Sequence, residues 1–277
     1  TAGMERHGGR DPLQGAAQPM RLDEYLAVNY DFDSRNKARE AVRYGLVTVN
    51  GRLSKPAYEV KEGDKIVVTM GQAVSNGGRK LSRAFKTFPI SALGRVCLDA
   101  GASTGGFTQV LLEQGAVKVY SVDVGRNQLH PSLREDNRVT VMDETNVRTL
   151  CSRDFAEPIE FLCSDLSFIS LKLVLPVFAE LLSARGDLVV LVKPQFEAGP
   201  RFLGKNGIVR DKRVHQRVLE EIVAECSLCG LVPRGLIRAP LRERDMNVEY
   251  LLWANREGQA IGKKDIIEAV MRPESLV

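Results

Sequence analysis

Four charged residues, far apart along the chain, have the side-chain types needed to manage a proton during a reaction: Lys80, Asp165, Lys193 and Glu249. Lys193 is the most informative of them. It lies in DLVVLVKPQFE, residues 187–197, at the end of an apolar run that is typical of a buried strand. A lysine at the end of a core strand could accept a proton or stabilise a developing negative charge, and the sequence leaves both roles open. The alternative is a surface lysine whose charged end reaches solvent.

A glycine-rich segment, GRVCLDAGASTGGFTQVLLEQGA, is the second candidate for chemistry. It predicts a strand at residues 96–98, a turn of small residues and then a helix, which would surround a ligand with backbone N–H groups. The turn lacks the G-x-G-x-x-G spacing of a dinucleotide site, and an acid at the strand end disfavours a pyrophosphate. The sulfonium cation of S-adenosylmethionine fits better. The residues predicted to bind this cofactor here are Asp99, Gly101, Ser103, Thr104, Gly105, Gly106 and Phe107.

Acidic residues also close the strands that follow the loop. KVYSVDVG contains Asp123, about twenty residues further on, where a carboxylate can accept both ribose hydroxyls of a nucleoside. RVTVMDETNV places Asp143 and Glu144 near the expected adenine edge, and EFLCSDLSF ends its strand on Asp165. Together with the loop, these acids favour S-adenosylmethionine over a nicotinamide dinucleotide.

Strands alternate with helices through this region, which predicts an α/β, Rossmann-like fold with a doubly wound, mostly parallel sheet. Further helices are predicted at residues 170–183 and 212–230, and VPRGLIRAP and NVEYLLWA predict an antiparallel pair at one edge. In such a sheet, ligands bind beyond the carboxyl ends of the strands. Asp165 and Lys193 would leave adjacent strand ends there. Glu249 would enter with the last strand, and Lys80 would head the helix before the first strand.

A small basic module at residues 21–69 precedes this fold. Ser34 has the residue type of a helix N-cap, and LVTVNG and GDKIVVT predict strands, the first leading into an Asn-Gly turn. Arg35, Arg39 and Arg43 are spaced four residues apart, so three guanidinium groups would share one helical face and could meet the phosphates of RNA. An ordinary solvated face is the alternative, because acidic neighbours nearly balance the charge. The predicted RNA-binding residues are Arg21, Arg35, Lys37, Arg39 and Arg43.

Two sets of motifs resemble known families. The order RLDEYL, SRNKAREAVRYGLVTVNG and KPAYEVKEGD resembles the S4 RNA-binding domain. The motifs DAGASTGGFT, VYSVDVG, DLSFISL, LVKPQFEAG, GIVRDKRVH and NVEYLL are similar to the TlyA family, in which an S4 domain is fused to an FtsJ-like methyltransferase and which is often labelled haemolysin. The resemblance runs over residues 21–254. It implies 2'-O-methylation of cytidine ribose in ribosomal RNA, with S-adenosylmethionine as the cofactor.

The resemblance also implies roles for individual residues. Lysine, aspartate, lysine and glutamate in this chain order form the catalytic tetrad of FtsJ-type ribose 2'-O-methyltransferases, and the tetrad carries over onto Lys80, Asp165, Lys193 and Glu249. Ribosomal RNA or ribosomal subunits are the implied partners. The alternatives are a catalytically inert RNA-binding or ribosome-assembly factor and, from the haemolysin label, a membrane-damaging protein.

The composition is that of an ordinary soluble protein, with 44% hydrophobic and 27% charged residues among 277. The net charge of +4 is compatible with a polyanionic partner without requiring one. No apolar run approaches the roughly 18–20 residues of a membrane span. Five cysteines, an odd number, do not indicate a disulfide framework. We therefore expect a reducing, cytoplasmic location and no membrane association.

Neither histidines nor cysteines predict a metal site. His7, His130 and His215 are far apart in the sequence, and His215 is expected to face solvent or to cap a surface contact. Cys226 and Cys229 form a lone C-x-x-C inside a predicted helix and are expected to be buried thiols.

The expected domain organisation follows from these segments. Residues 1–19 form a disordered N-terminal extension, 20–70 the S4-like domain, 71–79 a linker, 80–256 the FtsJ-like methyltransferase domain and 257–277 a C-terminal tail. The oligomeric state has no signal in the sequence.

Overall fold

The computed structural model describes residues 20–30, 35, 38, 39, 42, 47–68, 76–204, 207–240 and 247–271. The chain divides into two compact units, Thr1–Val74 and Ser75–Val277. The predicted extension at residues 1–19, the N-cap at Ser34 and the RNA-binding residues Lys37 and Arg43 lie outside the described residues.

The small unit is built from short strands and helical residues. Its elements are β1 (Met20–Arg21), α1 (Leu22–Asn29), β2 (Val47–Val49), β3 (Arg52–Leu53), β4 (Glu59–Val60) and β5 (Ile66–Val68). A three-stranded antiparallel sheet has the order β3-β2-β5, and β1 pairs with β4. The predicted Asn-Gly turn is confirmed, because Asn50 and Gly51 join β2 to β3 with φ angles of 52° and 74°, the left-handed backbone that a tight hairpin needs.

Apolar side chains from helices and strands form the core of the small unit. Arg35, Ala38, Arg39 and Val42 are helical, and Ala38 and Val42 are buried, so the apolar side of these helical residues faces the core. The buried core residues are Leu22, Leu26, Ala38, Val42, Val47, Val49 and Val60.

The large unit alternates helices with strands. Its elements are α2 (Asn76–Thr87), β6 (Val96–Ala100), α3 (Gly106–Glu113), β7 (Lys118–Val122), α4 (Pro131–Arg134), β8 (Val139–Met142), β9 (Ile159–Ser164), α5 (Leu175–Leu181), β10 (Leu182–Val192), α6 (Pro194–Glu197), α7 (Lys212–Leu228), β11 (Val232–Arg238), β12 (Tyr250–Asn255) and α8 (Lys263–Met271). Residues 76–79, which we had placed in the linker, belong to α2.

A seven-stranded sheet of order β11-β12-β10-β9-β6-β7-β8 forms the middle of the large unit. The strands from β10 to β8 in this order run parallel, whereas β12 is antiparallel to both β10 and β11. The predicted α/β class, mostly parallel sheet and antiparallel edge are therefore confirmed. The chain proceeds outward from β6 through β7 to β8 and then returns to β9 on the other side of β6. This reversal creates the crevice where doubly wound sheets bind ligands.

Two predicted element boundaries were wrong. The helix predicted at residues 170–183 is a short 3-10 helix, Leu171–Leu173, followed by α5. Pro176 lies in the first turn of α5, where its missing N–H costs nothing. Leu182 already pairs with Ile159, so β10 begins before the strand predicted from residue 187, with an irregularity between Leu182 and Asp187. The first strand also extends beyond the predicted residues 96–98 to Ala100.

Burial explains two further differences from the sequence expectations. The prediction that His215 faces solvent or caps a surface contact was wrong, because His215 lies on the sheet-facing side of α7 and is only 4% exposed. One ring nitrogen, Nδ1, lies 3.0 Å from the Tyr250 hydroxyl, and Nε2 lies 2.8 Å from the Val209 carbonyl oxygen. Burial lowers the pKa of His215. The C-terminal tail contains α8, whose residues Ile266 and Val270 pack into the core.

Candidate active site

A continuous chain of ion pairs joins the four charged residues of the predicted tetrad. Lys80 Nζ lies 2.8 Å from Glu249 Oε2 and 3.3 Å from Asp165 Oδ2. Lys193 Nζ lies 2.6 Å from the other oxygen of the same carboxylate, Asp165 Oδ1. The structure thus brings together side chains that are up to 169 residues apart in sequence.

The sheet explains why these side chains meet. Asp165 and Lys193 directly follow β9 and β10, which are neighbouring parallel strands, so both side chains leave the sheet at the same edge. Glu249 directly precedes β12. Because β12 is antiparallel to β10, with Tyr250 opposite Val192, the start of β12 lies beside the end of β10. The last member, Lys80, is carried by α2.

Two carboxylates hold two ammonium groups in a mostly buried site. The side chain of Lys193 is 9% exposed, and those of Lys80, Asp165 and Glu249 are 21%, 19% and 17% exposed. Burial alone would lower the pKa of Lys80, but the negative charges of Asp165 and Glu249 outweigh it and raise that pKa. Burial would likewise raise the pKa of Asp165, but Lys80 and Lys193 lower it. Lys80 is therefore charged and Asp165 ionised at neutral pH.

Other side chains that contact this chain of ion pairs were not anticipated from the sequence. The hydroxyl of Ser167 lies 2.9 Å from Lys193 Nζ, and Gln195 Nε2 donates to Glu249 Oε1 at 3.2 Å. Lys193 Nζ also lies 5.8 Å from the centre of the Phe196 ring. Ser167 lies two residues after Asp165, and Gln195 lies two residues after Lys193. Their position in sequence was the signal that could have identified them.

An exposed aromatic residue stands beside these groups. Phe168 is 91% exposed, and its ring lies 5.1 Å from the ring of Phe196. Its φ angle is +62°, in the left-handed region that large side chains rarely adopt. Such strain at an exposed apolar side chain is typical of a functional position.

The glycine-rich loop connects β6 to α3 and depends on left-handed backbone. Gly101 and Gly105 have φ angles of +88° and +98°. A Cβ atom on Gly105 would lie 2.3 Å from a methyl group of Leu133 and 2.7 Å from one of Leu129. Gly105 therefore has to be a glycine both for its backbone angle and for the space around it.

Asp123, directly after β7, fixes the loop through backbone hydrogen bonds. Its Oδ2 accepts from the N–H of Ser103 at 2.8 Å, and its Oδ1 accepts from the N–H of Gly125 at 2.7 Å. Each carboxylate oxygen keeps a further lone pair. Asp123 is half-buried, so it can still accept hydroxyl groups of a ligand.

Asp99 differs from its predicted position. It belongs to β6 and is fully buried, with Oδ2 accepting from the Thr108 hydroxyl at 2.7 Å and Oδ1 without a partner among the described residues. The predicted direct contact of Asp99 with a cationic ligand does not match this burial, because the strand continues past residue 98 and turns the side chain beneath the loop. Burial raises the pKa of Asp99 to about 7, although hydrogen bonds from Thr108 oppose the shift.

The remaining predicted cofactor residues lie around the same edge. Asp143 follows β8 and accepts from Arg134 Nη2 at 2.6 Å and from the N–H of Asn127 at 3.0 Å. The Glu144 side chain is 67% exposed. Gly106 and Phe107 begin α3 and are buried, so they could meet a ligand only through backbone atoms. Ser103 is exposed and Thr104 is half-exposed.

The carboxylates at this edge of the sheet fit a cationic nucleoside. Three successive strands, β7, β8 and β9, are each followed by a carboxylate, from Asp123, Asp143 and Asp165. Paired carboxylates can accept ribose hydroxyls and an exocyclic amine, and their negative charge attracts a sulfonium ion while repelling phosphate. S-adenosylmethionine therefore fits the residues present.

The predicted RNA-binding arginines of the small unit also come together. Arg21, Arg35 and Arg39 all contact the carboxylate of Asp23, an acceptor that the sequence analysis did not single out. Within the described ranges, no group of three or more histidine, cysteine, aspartate or glutamate side chains could hold a metal ion. Of the helices seen in those same ranges, none has the length and apolar character to cross a membrane.

Comparison with known families decides the class of protein. Residues 73–256 match the model of the FtsJ-like methyltransferase family, and residues 20–66 match the model of the S4 domain. This chain belongs to the FtsJ-like methyltransferase family. The predicted enzyme class is thereby confirmed.

Individual relatives cover nearly the whole chain. A Bacillus subtilis protein named as a candidate rRNA methyltransferase, YqxC, is 42% identical over 90% of this chain and 92% of its own length. The 16S/23S rRNA (cytidine-2'-O)-methyltransferase TlyA of Mycobacterium tuberculosis is 39% identical over 92% and 97%. The solved structure of a hemolysin-like protein from Streptococcus thermophilus is 40% identical over 92% and 95%, with a TM-score of 0.73. The resemblance to the TlyA family is therefore confirmed.

More distant solved structures agree on the fold. A Listeria monocytogenes structure described as an S-adenosylmethionine-dependent methyltransferase is 16% identical, covers 66% of this chain and all of its own, and has a TM-score of 0.51. The fold of this FtsJ-like methyltransferase is thus one that S-adenosylmethionine-dependent enzymes use. Fold, family and the carboxylates at the strand ends together support S-adenosylmethionine as the cofactor.

Replacing Gly105 with alanine should destabilise the large unit and weaken cofactor binding. A left-handed alanine costs about 1–2 kcal/mol, and the clash with Leu129 and Leu133 should add about 1–3 kcal/mol. Gly94→Ala is the matched control, since Gly94 also has a positive φ angle, +69°, but no atom within 4 Å of its Cβ position. Urea unfolding followed by fluorescence of Trp253, the single tryptophan, reports on this unit, and calorimetry measures S-adenosylmethionine binding. Equal losses for the two variants would contradict the role of the clash.

Asp99 should make the large unit less stable as the pH rises. Its folded pKa lies above its usual value, so its contribution to stability is fully present below about pH 4 and is lost as the pH rises through about 7. We expect Asp99→Asn to remove a decline on the order of a few kcal/mol between about pH 4 and 7. The same urea unfolding experiment, repeated across this pH range, measures the difference between the two proteins. Parallel pH profiles would show that Asp99 does not titrate as inferred.

Proposed function

We propose that this enzyme transfers a methyl group from S-adenosylmethionine to the ribose 2'-hydroxyl of a cytidine in ribosomal RNA. The observation that carries the proposal is the chain of ion pairs from Lys193 through Asp165 and Lys80 to Glu249, at the edge of the sheet that holds the glycine-rich loop. The Mycobacterium tuberculosis relative named for this reaction supports the choice of nucleotide and of RNA.

A ribose 2'-hydroxyl needs help because it is a very weak acid. Its oxygen becomes a good nucleophile only if its proton is accepted or its developing negative charge is stabilised. Lys193 is assigned the contact with this oxygen. Asp165 and Ser167 each contact Lys193 Nζ from the protein side. Of the three hydrogen-bonding positions on Nζ, this leaves one for the substrate. Both roles considered for Lys193, proton acceptor and electrostatic stabiliser, use this same contact.

The other members of the tetrad hold Lys193 in place. Lys80 has a raised pKa and stays protonated, so it orients Asp165 and Glu249 rather than accepting a proton. Asp165 stays ionised and orients Lys193. Gln195 holds Glu249 from the side away from Lys80 Nζ, through the other carboxylate oxygen.

When bound, S-adenosylmethionine supplies an electrophilic methyl group on a sulfonium ion. Asp123 is assigned to its ribose, and Asp143 and Glu144 to its adenine side. The backbone of the loop from Gly101 to Gly106 is assigned to the rest of the molecule. Asp165 follows β9, which pairs with the strand β6 that leads into this loop, and this supports assigning its negative charge to the sulfonium ion.

Phe168 favours a nucleic-acid substrate over a small molecule. An aromatic ring that is 91% exposed offers its face to a nucleotide base, and single unstacked bases are commonly held by stacking on aromatic side chains. Its neighbour Phe196 also lies beside Lys193 Nζ. A base stacked on Phe168 would therefore bring its ribose toward Lys193.

The small unit is proposed as the RNA-binding part of the enzyme. Its S4 match and the arginines around Asp23 support this assignment, and Lys37 and Arg43 extend the proposed set. The domain limits 20–70 and 80–256 and the tail at 257–277 stay proposals, and residues 76–79 of the linker proposed at 71–79 join the methyltransferase domain because they belong to α2. All five cysteines are free thiols, which is consistent with action in the cytoplasm on ribosomal subunits.

Replacing Lys193 with alanine tests the chemistry directly. We expect methyl transfer to fall by roughly 10²–10⁴-fold, because the 2'-oxygen loses its only assigned partner, while S-adenosylmethionine binding changes little. Transfer of a labelled methyl group to unmodified 16S and 23S ribosomal RNA transcripts and to assembled subunits measures activity, and calorimetry measures cofactor binding. Lys172→Ala is the matched control, since Lys172 pairs with Glu221 away from the tetrad.

Two results would overturn this proposal. Activity of Lys193→Ala within a few-fold of the wild type would remove Lys193 from the reaction. A wild-type protein that binds ribosomal RNA but methylates no transcript or subunit would instead favour the alternative, an inert RNA-binding or ribosome-assembly factor.

A further inference from the structure

A buried carboxylate lies at the centre of the small unit. Asp23, in the first turn of α1, has a side chain that is 0% exposed. It accepts hydrogen bonds at both oxygens from Arg21, at 3.1 Å from Nε and 3.0 Å from Nη2. Arg35 Nη2 donates to Oδ1 at 3.3 Å, and Arg39 Nε donates to Oδ2 at 3.2 Å. We call Arg21, Arg35 and Arg39 the arginine cluster.

The arginine cluster faces solvent although its acceptor does not. The side chains of Arg21, Arg35 and Arg39 are 42%, 43% and 37% exposed. A guanidinium carries five N–H donors, and Asp23 uses only the Nε or Nη2 edge of each one. Each guanidinium therefore has one edge fixed by Asp23 while a part of it remains accessible.

The charges in this cluster exceed what Asp23 needs for its own neutralisation. Burial alone would raise the pKa of Asp23, but hydrogen bonds from Arg21 and Arg39 and the charge of Arg35 lower it to about 2. Asp23 is thus ionised at neutral pH. One arginine would balance Asp23 and a second would balance Glu24, which pairs with Arg35 Nη1, so the three arginines leave one positive charge in excess at the surface.

Fixing an arginine in advance improves its use as an anion ligand. A free arginine side chain loses rotamer entropy when it is immobilised, and a contact formed by a pre-positioned group avoids part of that loss. Guanidinium groups also match phosphate oxygens in a planar, two-pronged geometry. A rigid set of such groups with an excess of positive charge suits adjacent phosphates of a polynucleotide.

We propose that Asp23 is a positioning residue for RNA binding, which holds the arginine cluster as a preformed site for the ribose-phosphate backbone of ribosomal RNA. The inference rests on the proposed function for the identity of the RNA. Asp23 itself does not touch the RNA, because it has no exposed surface. Its effect is transmitted through the three guanidinium groups.

Two variants that each remove one negative charge from neighbouring residues test this inference, because RNA affinity should change in opposite directions. Glu24 follows Asp23 in sequence, pairs with Arg35 Nη1 at 3.4 Å and is 47% exposed. Asp23→Asn and Glu24→Gln each remove one negative charge, so overall electrostatics alone would make both variants bind RNA more tightly. If Asp23 positions the cluster, Asp23→Asn should instead bind about tenfold more weakly, while Glu24→Gln binds as tightly as the wild type or more tightly.

Salt dependence gives an independent readout of the same contacts. Affinity of the full chain for 16S and 23S ribosomal RNA transcripts would be measured across a range of salt concentrations. Each lost phosphate contact lowers the slope of log affinity against log salt by about 0.7–0.9. We expect a shallower slope for Asp23→Asn and an unchanged slope for Glu24→Gln. An Asp23→Asn protein that binds at least as tightly as Glu24→Gln, with the wild-type slope, would overturn the inference.

Folding of the variants has to be separated from RNA binding. Amide hydrogen exchange in β2 and β5 shows whether the small unit of Asp23→Asn is intact, and Asp23→Glu, which keeps the charge but displaces the carboxylate, is the second variant. If neither variant folds, the inference is tested on the wild-type protein by the exchange rates of its arginine Nε–H protons. Slowly exchanging Nε–H resonances of Arg21 and Arg39 before RNA is added, shifted by RNA, would support the inference, and rapidly exchanging ones would overturn it.

Methyl transfer measured on the same samples keeps this inference distinct from the proposed function. Asp23→Asn should raise the KM for RNA and leave kcat and S-adenosylmethionine binding close to wild type, since the tetrad is unchanged. A wild type that binds RNA through the cluster but transfers no methyl group would contradict the proposed function alone. A fully active Asp23→Asn protein with unchanged KM and affinity would contradict the inference alone.

Discussion

The candidate active site depends on one shared carboxylate. Asp165 lies between two ammonium groups, with one oxygen on Lys193 and the other on Lys80. Two lysine side chains that contact the same group would repel each other without a counter-charge. Asp165 removes that conflict, and Glu249 balances the second positive charge. The tetrad is therefore close to neutral as a whole, which allows charged groups to remain in a region with little solvent.

The order of strands is what makes this arrangement possible. Parallel strands β9 and β10 release Asp165 and Lys193 at the same edge, next to the loop after β6. A parallel strand in the place of β12 would begin at the opposite edge and carry Glu249 away from Lys80. The antiparallel direction of β12 solves this problem, because its first residue lies opposite the last residue of β10. The reversed strand thus has a functional reason as well as a topological one.

Sequence patterns predicted the features that depend on the order of the strands and on the periodicity of apolar residues. Acids that end apolar runs, such as Asp123 and Asp165, could be assigned to the ligand edge because parallel strands share that edge. The sequence could not predict which side chains pair with one another or which polar side chains are buried. The arginine spacing predicted an exposed face, but it did not show that Asp23 forms ion pairs with several of these side chains. The burial of Asp99 and His215 depended on where a strand ended and on which side of α7 faced the sheet.

The two units use the same physical device with different charge balances. Asp165, which is mostly buried, and Asp23, which is fully buried, each hold more than one cation, and in both places nearby cations lower the pKa of the carboxyl group. Around Asp165 the positive and negative groups of the tetrad balance, so the site holds a lysine in position without strongly attracting anions. Around Asp23 the positive charges are in excess and partly exposed, which suits attraction of phosphate. A small change in the number of partners therefore separates a site suited to chemistry from one suited to binding a polyanion.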